Sequence, residues 1–234
     1  MPLSEKQSEI VNAPDGNILV KASAGSGKTR VITERIKHLY LSGRVKRKIL
    51  AITFTNKAAK EMEERLENIR ETGERFFINT FHGFCKYALE NHGKMIGLSG
   101  MPHIFEEEAD RRDKKRNNFL IKVSNFISQV KREIISDTEI KERTNEEQVL
   151  LYRTYQDILD SQNAMDFDDI ILFAYNLFIE YPSVASLYSR SFQYIFIDEA
   201  QDMNNAQYKL LLAFTKGFHN NIMLLFNKSF ESGK

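Results

Sequence analysis

Short apolar runs and amphipathic stretches take turns along the first part of the chain. The runs NILVKA (Asn17–Ala22), KILAITF (Lys48–Phe54) and FFINT (Phe76–Thr80) have strand length and predict three strands. Each is followed by apolar positions at helical spacing, in RVITERIKHLYL (Arg30–Leu41), TNKAAKEMEERLENI (Thr55–Ile69) and FHGFCKYALENHG (Phe81–Gly93). Thr55 or Asn56 is placed to cap the second of these helices. Strands alternating with helices predict an α/β fold built on a parallel sheet with helices on both faces.

From about Glu90 to Tyr181 this rhythm stops. The segment carries helical patterns, a charge run DRRDKKRNN (Asp110–Asn118) and no convincing strand. It ends in two apolar stripes joined at NAMDF, which reads as a helical insertion. The alternation resumes with YIFIDEAQD (Tyr194–Asp202), the helix NNAQYKLLLAFTKGF and a last strand NIMLLF (Asn221–Phe226). The expected organisation is a discontinuous α/β domain, 1–89 with 182–234, carrying an all-helical subdomain over 90–181.

The composition is that of an ordinary soluble globular chain: 234 residues, 42% hydrophobic, 28% charged, net charge +1. A lone Cys85 cannot form an internal disulfide, so a reducing cytoplasm is the expected compartment. Neither a signal peptide nor an apolar stretch of membrane-spanning length is legible, and no membrane partner is expected. Balanced charge neither requires nor excludes nucleic acid, because a basic binding strip would be local.

The strand ending YIFIDEAQD delivers Asp198, Glu199 and Asp202 to one edge, and such a cluster needs a positive partner. ASAGSGKT, from Ala22 through Ser23, Ala24, Gly25, Ser26 and Gly27 to Lys28 and Thr29, supplies it. It fits the phosphate-loop (Walker A) pattern except that Ala22 stands where the commonest form has glycine. Small residues let backbone N–H groups wrap phosphates, and the following helix N-terminus adds partial positive charge. Lys28 would reach the β- and γ-phosphates, the Thr29 hydroxyl would ligate Mg2+, and Asp198 would be the carboxylate on the metal side. Glu199 is placed to polarise the attacking water as general base. The structural alternatives are a glycine-rich turn and a solvated turn after a strand.

Taken together, the motifs resemble the N-terminal half of superfamily 1 DNA helicases of the UvrD/Rep/PcrA type. LSEKQSEIV resembles the Gln motif, which implies that Gln7 reads the adenine edge; the resemblance also implies that Arg30 packs on the adenine, with a helix-surface arginine as the alternative. AITFTNKAAKEMEERL resembles motif Ia, and INTFHGFC the Thr-Phe-His motif, with Gly83 where Ser is more usual. MDFDDIILFA resembles the element closing the helical insertion. FIDEAQDMNNAQ resembles motif II, with Gln201 in the place of the glutamine thought to couple nucleotide to DNA. The implied function is ATP-dependent 3′-to-5′ DNA helicase or translocase activity, with ATP and Mg2+ at the site. Phe54 offers a stacking face for a base, its alternative being a core aromatic. Thr55, Asn56, Thr80 and His82 offer polar contacts to phosphate or sugar, a buried structural histidine being the alternative for His82. The charge run Asp110–Asn118 is a solvated helix face or a phosphate contact.

The resemblance lapses at the end of the last strand. Phe226, Asn227 and Phe230 stand where that family has Gly, Asp and a γ-phosphate-sensing Gln. The second RecA-like domain of such motors, with its arginines, is expected from the same parent chain or another polypeptide. This leaves two function classes, an ATPase half of a helicase and an ATP- and DNA-binding module with little turnover of its own. A small-molecule kinase gives motif Ia and the Thr-Phe-His run no role.

Overall fold

The computed structural model describes residues 2–23, 25–69, 75–105, 114–135, 139–140, 142, 145–217 and 221–227. The chain divides into two compact units. The first comprises Met1–Phe84, Ser186–Met203 and Thr215–Lys234, and the second Cys85–Ala185 with Asn204–Phe214.

The first unit is an α/β domain around a five-stranded sheet, β1 (Ile18–Ala22), β2 (Lys48–Thr53), β3 (Phe76–Thr80), β6 (Phe192–Ile197) and β7 (Ile222–Asn227), in the order β1-β7-β6-β2-β3. Every pairing is parallel. Helix α1 (Glu5–Asn12) precedes β1, while α2 (Lys28–Leu41), α3 (Asn56–Leu66) and the first turn of α4 (Phe81–His92) follow β1, β2 and β3. β6 is buried at nearly every position, which is why it reads as a continuous apolar run and not as an alternation.

Because successive side chains of a strand point to opposite faces, each strand feeds two cores. On one face Phe76, Ile78, Ile49, Ala51, Tyr194 and Phe196 pack with Val31, Ile32, Ile36 and Leu39 of α2 and with Ala59, Met62 and Leu66 of α3. On the other, Phe77 meets Phe84 and Phe192 edge-on, and Phe84 meets Tyr188. Parallel pairing brings all the strand C-termini to one edge, as the register partners Ala22↔Asn227, Ile197↔Leu224, Ile52↔Ile197 and Thr53↔Thr80 show. In such sheets ligands bind at this edge.

The second unit is built from α5 (Lys114–Glu133), α6 (Glu146–Ser161), α7 (Phe167–Glu180), the start of α8 (Pro182–Ser191) and most of α9 (Asn205–Thr215). One departure from an all-helical insertion is present: β4 (His103–Ile104) pairs in parallel with β5 (Ala164–Met165). Two-residue strands leave no periodic signal, so the sequence reads as helix and loop there. Asn204–Phe214 also belongs to this unit, whereas the sequence pattern set that helix with the strands. The grouping follows from contacts: Phe214 packs on Phe178, while Asn205 Nδ2 and Lys209 Nζ both donate to the Glu133 carbonyl.

A buried charge cluster ties α5 to α7. Lys131 Nζ lies 2.6 Å from Asp166 Oδ2 and 2.7 Å from Asp169 Oδ1, and Tyr155 Oη donates to the same Asp166 oxygen. Asp166 is also the N-cap of α7 and forms a capping box with Asp169. Burial pushes the Asp169 carboxyl above its ordinary range, against the pull of Lys131. Of the charge run Asp110–Asn118, residues 110–113 lie outside the described residues and the remainder begins α5. No single helix among the described residues is long and apolar enough to cross a membrane.

Candidate active site

Ala22 ends β1, and the loop that follows turns through Gly25 (φ 73°) and Gly27 (φ 81°) into α2. Both angles lie in the left-handed region that glycine enters without a Cβ penalty. Gly27 is the N-cap of α2, Ser23 and Ser26 are exposed, and Ala24 lies outside the described residues. Lys28 is therefore the first residue of the helix, and its side chain is almost fully buried.

The adjacent strand end meets this loop directly. Asp198 follows β6 and is buried, its Oδ2 accepting the Thr29 hydroxyl at 2.7 Å. Burial pushes its carboxyl above the ordinary range, with the Thr29 bond opposing the shift. Lys28 Nζ lies 3.3 Å from Glu199 Oε1, which gives the acidic strand end its positive partner within the protein. Glu199 holds φ 48° and ψ 43°, a left-handed backbone at a non-glycine residue, and its N–H donates to Asp198 Oδ1. Gln201 bridges outward: its Nε2 donates to Glu199 Oε2 at 2.7 Å and its Oε1 accepts the Asn227 N–H at 2.9 Å. The sequence marked Asn227 only as a departure; the tether to Gln201 arises from strand order, which sequence spacing does not encode. Asn227 Oδ1 is buried with no hydrogen-bond partner, and Phe230 lies outside the described residues.

The Thr29–Asp198 pair fits magnesium. One hydroxyl and one carboxylate are both oxygen donors, and this ion keeps its remaining positions for phosphate and water. Among the described residues no group of three or more His, Cys, Asp or Glu side chains offers a rival metal site.

Gln7 sits over the loop. Its backbone N–H and Oε1 complete a capping box with Ser4, and its Nε2 donates to the Ser26 carbonyl at 2.9 Å. Arg30 is half-buried on α2. A residue the sequence did not single out is Arg35, 2% exposed, seven positions into α2 on the stripe shared by Ile32, Ile36 and Leu39. A charged residue on an apolar stripe was the legible signal.

The remaining candidates share the edge where β2 and β3 end. Phe54 is half-buried and T-shaped against Phe81, with centroids 5.8 Å apart. The Thr55 hydroxyl caps α3 by accepting the Ala58 N–H, and Thr55 and Asn56 are exposed. His82 is half-buried. Thr80 is buried, with its hydroxyl accepting the Gly83 N–H, so it caps α4 beneath the surface. The surface contact expected of Thr80 does not fit that position. Gly83 has a packing reason: a Cβ there would stand 1.8 Å from Asn79 Oδ1.

A parallel sheet, a glycine-rich loop entering a helix, and an acidic strand end hydrogen-bonded to that loop define a RecA-like P-loop NTPase domain. More narrowly, the chain belongs to the UvrD/REP helicase N-terminal domain family, which it matches over residues 3–226. It is 35% identical to the ATP-dependent DNA helicase PcrA of Staphylococcus aureus and 36% identical to that of Staphylococcus epidermidis, across 93% of this chain and 32% of each relative. The chain thus spans about a third of the length of these curated relatives.

Proposed function

We propose that this domain binds ATP with Mg2+ and hydrolyses it, as the ATPase half of a cytoplasmic DNA helicase or translocase moving 3′ to 5′ on single-stranded or partly duplex DNA. The observation that carries the reading is the convergence of Lys28, Thr29, Asp198 and Glu199, with Thr29 2.7 Å from Asp198 and Lys28 3.3 Å from Glu199. A second RecA-like domain, from the same polypeptide or another, completes the motor.

In this reading the loop from Ala22 to Gly27 and the α2 N-terminus cradle the phosphates, and Lys28 turns from Glu199 to their oxygens. Thr29 and Asp198 hold the metal, which when bound neutralises charge building on the transferred group. Glu199 takes the proton of the attacking water, and Gln201 fixes its carboxylate orientation. Gln7 reads the base. A carboxamide has two lone pairs and two N–H donors. The protein engages one of each, through the Ser4 N–H and the Ser26 carbonyl. The remaining lone pair and N–H match adenine, which presents a donor at N6 and an acceptor at N7, whereas guanine presents two acceptors. Phe54 stacks a base of the strand, with Thr55, Asn56 and His82 on its backbone and Thr80 holding α4 in place.

A second reading, an ATP- and DNA-binding module with little turnover, is favoured by Phe226 and Asn227 and by the orphaned Asn227 Oδ1. Steady-state ATP hydrolysis with and without single-stranded DNA, against a Lys28→Ala blank, decides between them. DNA-stimulated turnover above the blank supports the ATPase. Turnover at the blank's level, with ATP still bound by the unmutated chain, leaves the module.

A further inference from the structure

We propose that Arg35 is a positioning residue for base recognition, holding the helix that carries Gln7 so that the domain selects adenine over guanine nucleotides; this rests on the reading of Gln7 given above. The guanidinium is 2% exposed and makes no ion pair among the described residues. It spends its donors on backbone carbonyls. Nη1 donates to Ile10 O at 2.9 Å, Val11 O at 3.2 Å and Ala13 O at 3.0 Å, and Nη2 to Pro14 O at 3.1 Å.

These carbonyls end α1 and begin the turn after it. A helix leaves its last four C=O groups without internal partners, and α1 has no basic residue in its own last turn. Arg35 supplies that cation from a different helix. Burying a charge is costly, and burial lowers the Arg35 pKa against the pull of Asp15. The four carbonyls, with Asp15 beyond them, compensate it. Lysine cannot replace this arrangement, because a single ammonium lacks the planar fork that spans several acceptors.

The geometry connects the first turn and the middle of α2 to one ligand. Its first residue, Lys28, faces the phosphate loop, and Arg35 grips the C-terminal end of α1, whose Gln7 lies three residues before Ile10. Asp15, just past the clamp, is fixed in turn by Tyr194 Oη at 2.9 Å and by Arg44. The base-reading amide therefore keeps its place relative to the phosphate loop through Arg35 and through its own bond to Ser26. An eight-residue helix has little stability by itself, so removing the clamp frees α1 to shift.

The test compares binding of ATP, GTP and inorganic tripolyphosphate by calorimetry in the unmutated chain, Gln7→Ala, Arg35→Met, Arg35→Lys and the double variant Gln7→Ala/Arg35→Met. Arg35→Met should shrink the ATP-over-GTP preference by about the same factor as Gln7→Ala, on the order of tenfold for a bidentate contact. The double variant should lose no more than either, and tripolyphosphate affinity should stay unchanged throughout. If Arg35→Met does not fold, Arg35→Lys carries the comparison. A collapsed preference in Gln7→Ala beside an intact one in the Arg35 variants overturns the positioning role alone. So does an equal loss of all three ligands on changing Arg35, which would be general destabilisation. An intact preference in Gln7→Ala removes the reading of Gln7 and this inference with it.

Discussion

Glu199 occupies a left-handed backbone conformation beside Lys28, and the two facts bear on one experiment. Such a conformation costs roughly 1–3 kcal/mol at a non-glycine residue, and the surroundings must hold it in place. Here the Asp198 carboxylate on its N–H and the Gln201 amide on its side chain do so. Glu199→Gln keeps the shape and the backbone while removing the basic lone pair. ATP affinity should change by only a few-fold, and turnover should fall by about 10²–10⁴, the usual worth of a general base. Equal single-turnover rates in the variant and the parent would move the base elsewhere. At this scale the sequence was most informative where chemistry is contiguous, as in Ala22–Thr29 and Asp198–Gln201. It was silent where a residue acts across the fold: nothing in the spacing joins Arg35 to Pro14 or Gln201 to Asn227.

Among elements, the N-terminus of α4 reverses a familiar rule. Glycine inside a helix usually costs about 1 kcal/mol relative to alanine. At Gly83 the added Cβ would displace Asn79 Oδ1 from the Thr80 N–H it accepts at 2.9 Å, leaving that donor unpaired for roughly 1–3 kcal/mol. Gly83→Ala should therefore lower urea-denaturation stability, yet raise it when Asn79 is already alanine; the same sign in both backgrounds would refute the contact. In the second unit, Lys131→Met leaves Asp166 and Asp169 without their buried cation, and about 3–5 kcal/mol should be lost at neutral pH. The sign with pH follows from the raised folded-state value of Asp169. A carboxyl that binds its proton more tightly when folded weakens the fold as pH climbs from the ordinary carboxylate range through that raised value. Without Lys131 the folded-state value rises further, so the deficit of Lys131→Met should narrow as pH is lowered toward the ordinary carboxylate range. A deficit independent of pH would assign the loss to packing. The α5–α7 tie was hidden because Lys131 and Asp166 belong to separate helical patterns, each ordinary by itself.

For the whole molecule, ligand linkage gives a test that needs no turnover. Mg-ATP at one hundred times its dissociation constant should add about 2.7 kcal/mol to the folded state. In a domain of this size that is a rise of roughly 5–10 °C in Tm, and Lys28→Ala should show almost none of it. The same rise in both would mean that the nucleotide binds away from the loop. The alternation of strands and helices was legible because strand and helix periods differ; strand order was not, because an apolar run names no neighbour. That order has a temporal consequence. The phosphate-loop strand β1 pairs only with β7 among the described strands, Ile18 lying beside Met223. β1 therefore waits for a strand about two hundred residues further along the chain. At about 5–20 residues per second the wait is on the order of ten seconds or more. During that interval an apolar strand edge is unpaired and the nucleotide site has no fixed floor. Nascent chains of this protein should acquire ATP binding abruptly, when β7 emerges, and until then should be clients for chaperones.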